Sequence, residues 1–506
     1  MAKWRTLVAV SLATFMLLLD VTVVNVALPQ IQRDLDADFD ALRWVIDGYA
    51  LALAATTLTF GSLGDRIGHR RTFRWGLVVF SLSSLAAGLA TTPLALNLCR
   101  GVQGIGGSAL LAPSLALLGA AYRERDRVVA LGVWGAINGG SLAIGPLVGG
   151  ALVESLDWRA IFWINIPVGA LAWLMVLRGT PESRRDRVPG RLDLPGLLAL
   201  SGGLTALVLA LFEGNARGWT SPLILGLFVA AAALLALFTT VERRAADPLL
   251  DLGLFRTPSI TGASLAVLAL ATSVFAMLTF FVLYLQNVLG HDALETGLRL
   301  MPITTGAFLA AGPGLALAQR LPIRAVLSGA LGCAAAGLLL MSASVGPGDD
   351  WTAMLAGGVL IGLGIGAFNP VVARVALGTV APARAGMASG LSSTCRVLGV
   401  ALGVALLGTV FDSRVRDRFQ ELVPSAAPGT ADAVSSAGLQ EVAARAPVGT
   451  REQVAAAAEQ AFVSGLDHIL LLAAVLAAAG AVASALLVRG SDFLAESDAT
   501  PATLSS

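Results

Sequence analysis

Fourteen apolar runs, each about the length of a helical membrane span, dominate this chain and constrain its fold class before any motif is read. A helix rises about 1.5 Å per residue, so about 20 mostly apolar residues cross a hydrocarbon core about 30 Å thick. The runs fall near 6–28, 42–62, 72–91, 94–120, 128–152, 160–177, 194–212, 221–240, 259–285, 293–318, 322–343, 351–377, 384–410 and 468–488. Of the 506 residues, 56% are apolar and only 13% charged, where a soluble domain carries about 25% charged residues. The expectation is an all-α integral membrane protein, and the runs are too numerous to be a cleaved leader.

Loop charges test the count. With the N-terminus in the cytoplasm, inner loops hold Arg66, Arg70 and Arg71, then Arg123, Arg125 and Arg127, then Arg178, Arg184, Arg185, Arg187 and Arg191. The short outer loops hold only Arg33, Arg43, Arg159, Arg217 and Arg299. Such asymmetry in short loops sets orientation. Lys3 and Arg5 before the first span and Arg489 after the last both lie inside only if the number of spans is even. The net charge of +1 carries no argument for an acidic partner such as nucleic acid, because the charges are sorted by loop. Lys3 is the only lysine among 34 basic residues, which, with the wealth of Ala and Gly, suggests a GC-rich bacterial genome; for a chain of this many spans the expected location is a bacterial inner membrane. Cys99, Cys333 and Cys395 sit in apolar segments and imply no disulfide framework.

Helices 4–5 and 12–13 repeat one another. Gly107 and Gly364 each precede a proline (Pro113, Pro370) by six residues, and an arginine (Arg127, Arg384) follows each proline by fourteen. Repeated helical halves are a transporter signature, with substrate held between them near the midplane. Two six-helix halves make twelve, so helices 7 and 8 read as an inserted pair. The expected division is 1–180 for the first bundle, 181–250 for the insertion and its linkers, and 251–411 for the first five helices of the second bundle. Residues 412–467 are expected to form a flexible extracytoplasmic loop with a weakly helical patch near 452–462, followed by the last span at 468–488 and a cytoplasmic tail at 489–506.

Several polar residues lie within the apolar runs. Asp20 and Asn25 belong to helix 1, and Arg100 and Gln103 to helix 4. An intramembrane acid is either a functional group or a helix-bundling hydrogen-bond partner, and both readings stand for Asp20. Counting rises, Asp20 lies about 22 Å above the inner surface and Arg100 about 9 Å below the outer one, nearly the same level. In helix 5, Gly145, Gly149 and Gly150 permit close packing, and Pro146 removes a backbone donor and is expected to kink the helix. Asp47, Glu154 and Glu213 near outer helix ends read as interfacial acids, and Arg396 as a mid-membrane cation facing a cavity or an acid. His69, His291 and His468 lie at loop edges and read as solvated. No metal-ligand spacing, phosphate-binding loop or nucleophilic constellation is present in the loops, so no enzyme, metal or cofactor is expected.

Between helices 2 and 3 the chain reads Gly61-Ser-Leu63-Gly64-Asp65-Arg66-Ile-Gly68-His69-Arg70-Arg71. A topogenic basic loop explains the arginines but not Asp65 or the glycines. The pattern resembles the corresponding loop of the major facilitator superfamily, with Gly61, Asp65, Arg66, Gly68 and Arg70 in register. The helix 1 run Asp20-x-Thr22-x-x-Asn25-x-Ala27-Leu28-Pro29 is similar to a signature of its fourteen-helix drug:proton antiporters. So are Leu96-x-x-x-Arg100-x-x-Gln103-Gly104-x-Gly106, Gly145-Pro146-x-x-Gly149-Gly150, Trp158-Arg159-x-x-Phe162-x-x-Asn165-x-Pro167 and Tyr284-Leu285-Gln286. Ser141 stands where that branch has another glycine, and Gln319-Arg320-Leu321-Pro322, the second-half counterpart of the first loop, lacks an acid. The resemblance implies a major facilitator fold and export of amphiphilic, often cationic drugs or antibiotics in exchange for protons. It further implies a latch at Asp65 and Arg66, proton coupling at Arg100 and an antiport-specific bend at Gly145-Pro146. The proton gradient is then the sole energy source, and the small amphiphile and the bilayer are the only expected partners. The same fold moving a lipid or an endogenous metabolite is the alternative.

Overall fold

The computed structural model describes residues 2–37, 39–122, 124–179, 193–245, 248–381, 384–424 and 450–493, with Thr430, Val434 and Val442 as isolated positions. The first half consists of α1 (Ala2–Leu35), α2 (Phe39–Ile67), α3 (His69–Gly88), α4 (Pro93–Ala121), α5 (Glu124–Ser155) and α6 (Asn165–Gly179), the last preceded by a single turn at Ala160–Trp163. Next come α7 (Leu194–Arg217) and α8 (Pro222–Glu242). The second half consists of α9 (Pro258–Val288), α10 (Ala293–Arg320), α11 (Ile323–Ser344), α12 (Leu355–Gly378), α13 (Ala385–Leu422) and α14 (Arg451–Leu487). Twelve of these, among the described residues, are long and apolar enough to cross a membrane. With α3 and α5 they account for the fourteen expected spans; α3 opens on His69, Arg70 and Arg71, which lowers its apolarity.

Local chemistry sets the helix starts. Thr92 accepts from Ala95 N at 3.2 Å with Pro93 opening α4, and Asp193 accepts from Gly196 N at 2.9 Å with a proline in the first turn of α7. A side-chain acceptor meets an orphan N–H there, and proline sits where no donor is needed. Helix α9 departs from ideal geometry in two π-helical turns, Ala271–Phe275 and Tyr284–Val288.

The two halves pack alike. In the first, α4 lies between α2 and α3; in the second, α12 lies between α10 and α11. Glycine permits each approach: a Cβ on Gly106 would lie 2.6 Å from Phe80 N in α3, and one on Gly364 2.6 Å from Ala330 O in α11. Between the halves α5 packs on α10 and α12, and α13 on α2 and α4. Helices α7 and α8 pack on one another, and α7 leans on the seam between α2 and α13.

One expectation fails. Residues 412–467 are not a flexible loop throughout, because α13 continues to Leu422 and α14 already begins at Arg451. The extensions bury Val415, Phe419, Val454, Ala457, Ala458 and Phe462 in one apolar core, with Phe411 and Phe462 rings 4.9 Å apart. Ala455 to Ala458 favour helix strongly, and each extension gives the other an apolar face to cover. The rest of 412–467 lies outside the described residues apart from the short pieces named above.

Candidate functional site

Four helices of the first half converge on Asp20. Arg100 Nη1 of α4 donates to Asp20 Oδ2, while Gln103 Nε2 and Asn165 Nδ2 donate to Oδ1 at 2.8 and 3.0 Å. Ser84 of α3 accepts from Gln103 and Asn165 at 3.2 and 2.9 Å and donates to Phe162 O. Arg100 is held from two further sides: its Nε donates to Val45 O at 2.9 Å, and its guanidinium lies 4.3 Å from the Tyr49 ring centroid. Asp20 is 2% exposed and Arg100 1%. Such a pair is tolerable in a low-dielectric interior only when its remaining donors and acceptors are satisfied, and here both Asp20 oxygens and Arg100 Nε and Nη1 have partners. Asp20 is the one acidic side chain in the ring.

The second cluster joins the halves at the end carrying the arginine-rich loops. Asp65, 8% exposed, accepts from Gly386 N at 2.9 Å and Met387 N at 2.7 Å, so it caps the N-terminus of α13 from α2. An anion there answers both the orphan donors and the helix dipole. His69 Nε2 lies 3.1 Å from Asp65 Oδ1 and is 4% exposed, which corrects its reading as a solvated residue. Close backbone crossing makes the cap possible, since a Cβ on Gly61 would lie 2.5 Å from Gly386 O. Gly68 has φ +104°, a conformation side-chain-bearing residues rarely adopt, and it turns the chain from α2 into α3. Arg70 donates to Leu177 O at 2.9 Å within the first half, and the Arg66 guanidinium acts on the Glu242 carboxylate at the end of α8. Glu242 accepts from Leu249 N, and Asp251 just beyond pairs with Arg384, so the linker after the inserted pair reaches the start of α13 too.

The remaining sequence candidates scatter. Gly145 and Gly149 of α5 face α1, with a Cβ on Gly149 3.2 Å from Val23 Cα, whereas one on Gly150 would meet nothing within 4 Å. The backbone of α5 stays helical through Pro146, whose side chain, like that of Asn25, lies outside the described residues. Asp47 pairs with Arg43 at 3.1 Å, and Glu213 with Arg217 at 2.6 Å and more loosely with Arg43 at 3.9 Å, an ion cluster tying α2 to α7. Glu154 is exposed. Arg396 lies in α13, where its Nη2 donates to Asn369 Oδ1 at 2.9 Å and its guanidinium lies 5.6 Å from the Phe275 ring centroid. Among the described residues no carboxylate pairs with it.

Ser84, Tyr49 and His69 were not among the sequence candidates, and Asn165 was noted only as part of a run. His69 had a signal: it stands four residues from Asp65 across a turn-forming glycine. Ser84 had none, because small hydroxyl residues are common in membrane helices.

Two repeated helical bundles, closed at one end by a capped glycine crossing and enclosing a buried acid–arginine pair, define a membrane transporter. A family model described as Major Facilitator Superfamily matches residues 10–404, and the chain belongs to that superfamily. It is 40% identical to the puromycin resistance protein pur8 of Streptomyces alboniger, over 81% of this chain and 82% of the relative. It is 35% identical to the tetracenomycin C resistance and export protein of Streptomyces glaucescens (88% and 84% covered) and to the multidrug resistance protein Stp of Mycobacterium tuberculosis (92% and 89%). In fold it is similar to the human organic anion transporter MFSD10, with a TM-score of 0.62 over 94% of this chain and 99% of that one, at 16% identity.

Proposed function

We propose that the protein exports amphiphilic drugs or antibiotics from a bacterial cytoplasm by alternating access, in exchange for protons. In this reading the arginine-rich end is cytoplasmic, both termini lie inside, and residues 1–180 move against the second bundle with 181–250 as the insertion. The observation that carries it is the sealed ring around Asp20: one protonatable carboxylate, held by donors from two other helices, α4 and α6. Desolvation favours the neutral form of an acid, and an adjacent guanidinium favours the charged one. A ring that opens and closes with the bundles therefore alternates proton affinity, which exchange requires.

Asp65, capping α13 across the bundle interface, is the cytoplasmic latch, with Gly61 and Gly386 as its crossing. Arg70 and Gly68 shape its loop, and Gly145 and Gly149 keep α5 close against α1. The cationic substrates that the resemblance implies gain no binding partner in Asp20, because Arg100 already neutralises the carboxylate. The test is dye accumulation in an efflux-deficient bacterium expressing the protein, with and without a protonophore. Lowered accumulation that the protonophore restores is the expected result; accumulation equal to that of the empty strain would refute export.

A further inference from the structure

Among the described residues Arg396 is a mid-membrane cation without an acid. It lies eleven residues into α13, about 16 Å from the latch end by helical rise, close to half of a core about 30 Å thick. It is half-buried, and its only protein acceptor among the described residues is the neutral Asn369 amide. A guanidinium stays charged and carries five N–H donors in one plane, so most of its donors have no acceptor among the described residues. The position is also where the halves meet: a Cβ on Gly135 of α5 would lie 3.4 Å from Pro370 and 3.9 Å from the Asn369 Cβ. Phe275, beneath the guanidinium, belongs to the π-helical turn Ala271–Phe275, and such turns are frequent at functional sites. Gly399 brings that turn close, since a Cβ there would lie 2.7 Å from the Ala271 Cβ.

A charged side chain at this depth is expensive unless something in the pathway completes it. The Asp20 carboxylate is committed to Arg100 and is not available to neutralise a second arginine.

We propose that Arg396, with Asn369 and Phe275, is a substrate subsite that recognises a flat molecule through an anionic or acceptor-rich edge, such as a carboxylate or phenolate on an aromatic ring. The planar donors of Arg396 take the edge, Asn369 Nδ2 offers a further donor, and Phe275 receives the ring. Movement of α5 away from Pro370 uncovers the subsite. The proposal rests on the exporter reading and specifies its substrate class.

Fluorescein and rhodamine 6G test it, because they share a tricyclic skeleton and carry opposite charges. Binding to purified wild type, Arg396→Gln and Arg396→Lys is read by fluorescence anisotropy without a proton gradient, so a failure of export and a failure of this subsite are separate results. Arg396→Gln is expected to weaken fluorescein at least about tenfold and leave rhodamine 6G within about twofold, as loss of a charge-assisted bidentate contact predicts. Arg396→Lys keeps the charge and loses the fork, so fluorescein weakens about threefold; this variant decides the matter if the glutamine variant does not fold. Wild type that does not bind fluorescein, unchanged fluorescein affinity in the variants, or equal loss for both dyes would each overturn the proposal.

Discussion

Each half of the molecule carries one arginine far along a spanning helix, Arg100 buried and Arg396 half-buried, and the two are held in opposite ways. Arg100 meets a carboxylate, a glutamine, a backbone carbonyl and an aromatic face, all within the first half. Arg396 meets one amide and one ring, at the boundary between the halves. The repeat does not demand this difference, for the position in α12 equivalent to Arg100 is Gly357, whose Cβ would collide with Gly337 O of α11 at 2.6 Å. The same side chain thus serves two chemistries. Under the proposed function the neutralised, sealed arginine tunes an acid; under the proposed subsite the unneutralised one takes a ligand.

Substitutions should separate the two arginines. The largest effect is expected for Arg100→Ala, which leaves Asp20 buried and unpaired; breaking a buried pair costs about 3–5 kcal/mol. It should show as a large fall in melting temperature in detergent, and a melting temperature equal to wild type would mean the ring is not structural. Gly386→Ala comes next, because its Cβ would sit 2.8 Å from Asp65 Oδ1 and 2.5 Å from Gly61 O. Overpacking of this kind costs about 1–3 kcal/mol and here acts only on the closed latch, so spin labels at the two latch ends should report longer distances. Asp65→Ala removes the cap of α13 and should open the same end by about 1–2 kcal/mol. A surface ion pair would be worth about 0–1 kcal/mol, so burial of Asp65 raises the expected effect. An unchanged distance distribution in Asp65→Ala would reduce the loop to a topogenic one. Arg396→Gln should be the mildest: no ion pair is lost, and the melting temperature should match wild type or rise. A fall like that of Arg100→Ala would erase the contrast between the two arginines.

The helix count and the repeat were legible because a bilayer converts length and apolarity directly into spans, and because glycine and proline mark helix crossings. The shared level of Asp20 and Arg100 followed from helical rise alone. Their full partnership did not, since Ser84 and Asn165 come from α3 and α6, and which faces meet is decided by packing. His69 was misread because a loop-edge histidine is ordinarily wet; here Gly64 and Gly386 lack side chains and admit its ring. The extension of α13 was missed for a related reason, and that of α14 was legible only as a weakly helical patch near 452–462. Their outward faces are polar, as at Arg418 and Glu452, and only their mutual burial of Phe419 and Ala458 makes them helices rather than a loop.

Proton release on substrate addition tests the central claim, that the sealed acid carries the exchanged proton. Purified wild type and Asp20→Asn, in weakly buffered detergent solution across pH, would receive rhodamine 6G while released protons are followed with an indicator dye. The account predicts a clear release from wild type over a limited pH window and none from Asp20→Asn that still binds the dye. Undiminished release from the variant would contradict it and move the coupling role to Glu154, Glu213 or Asp47.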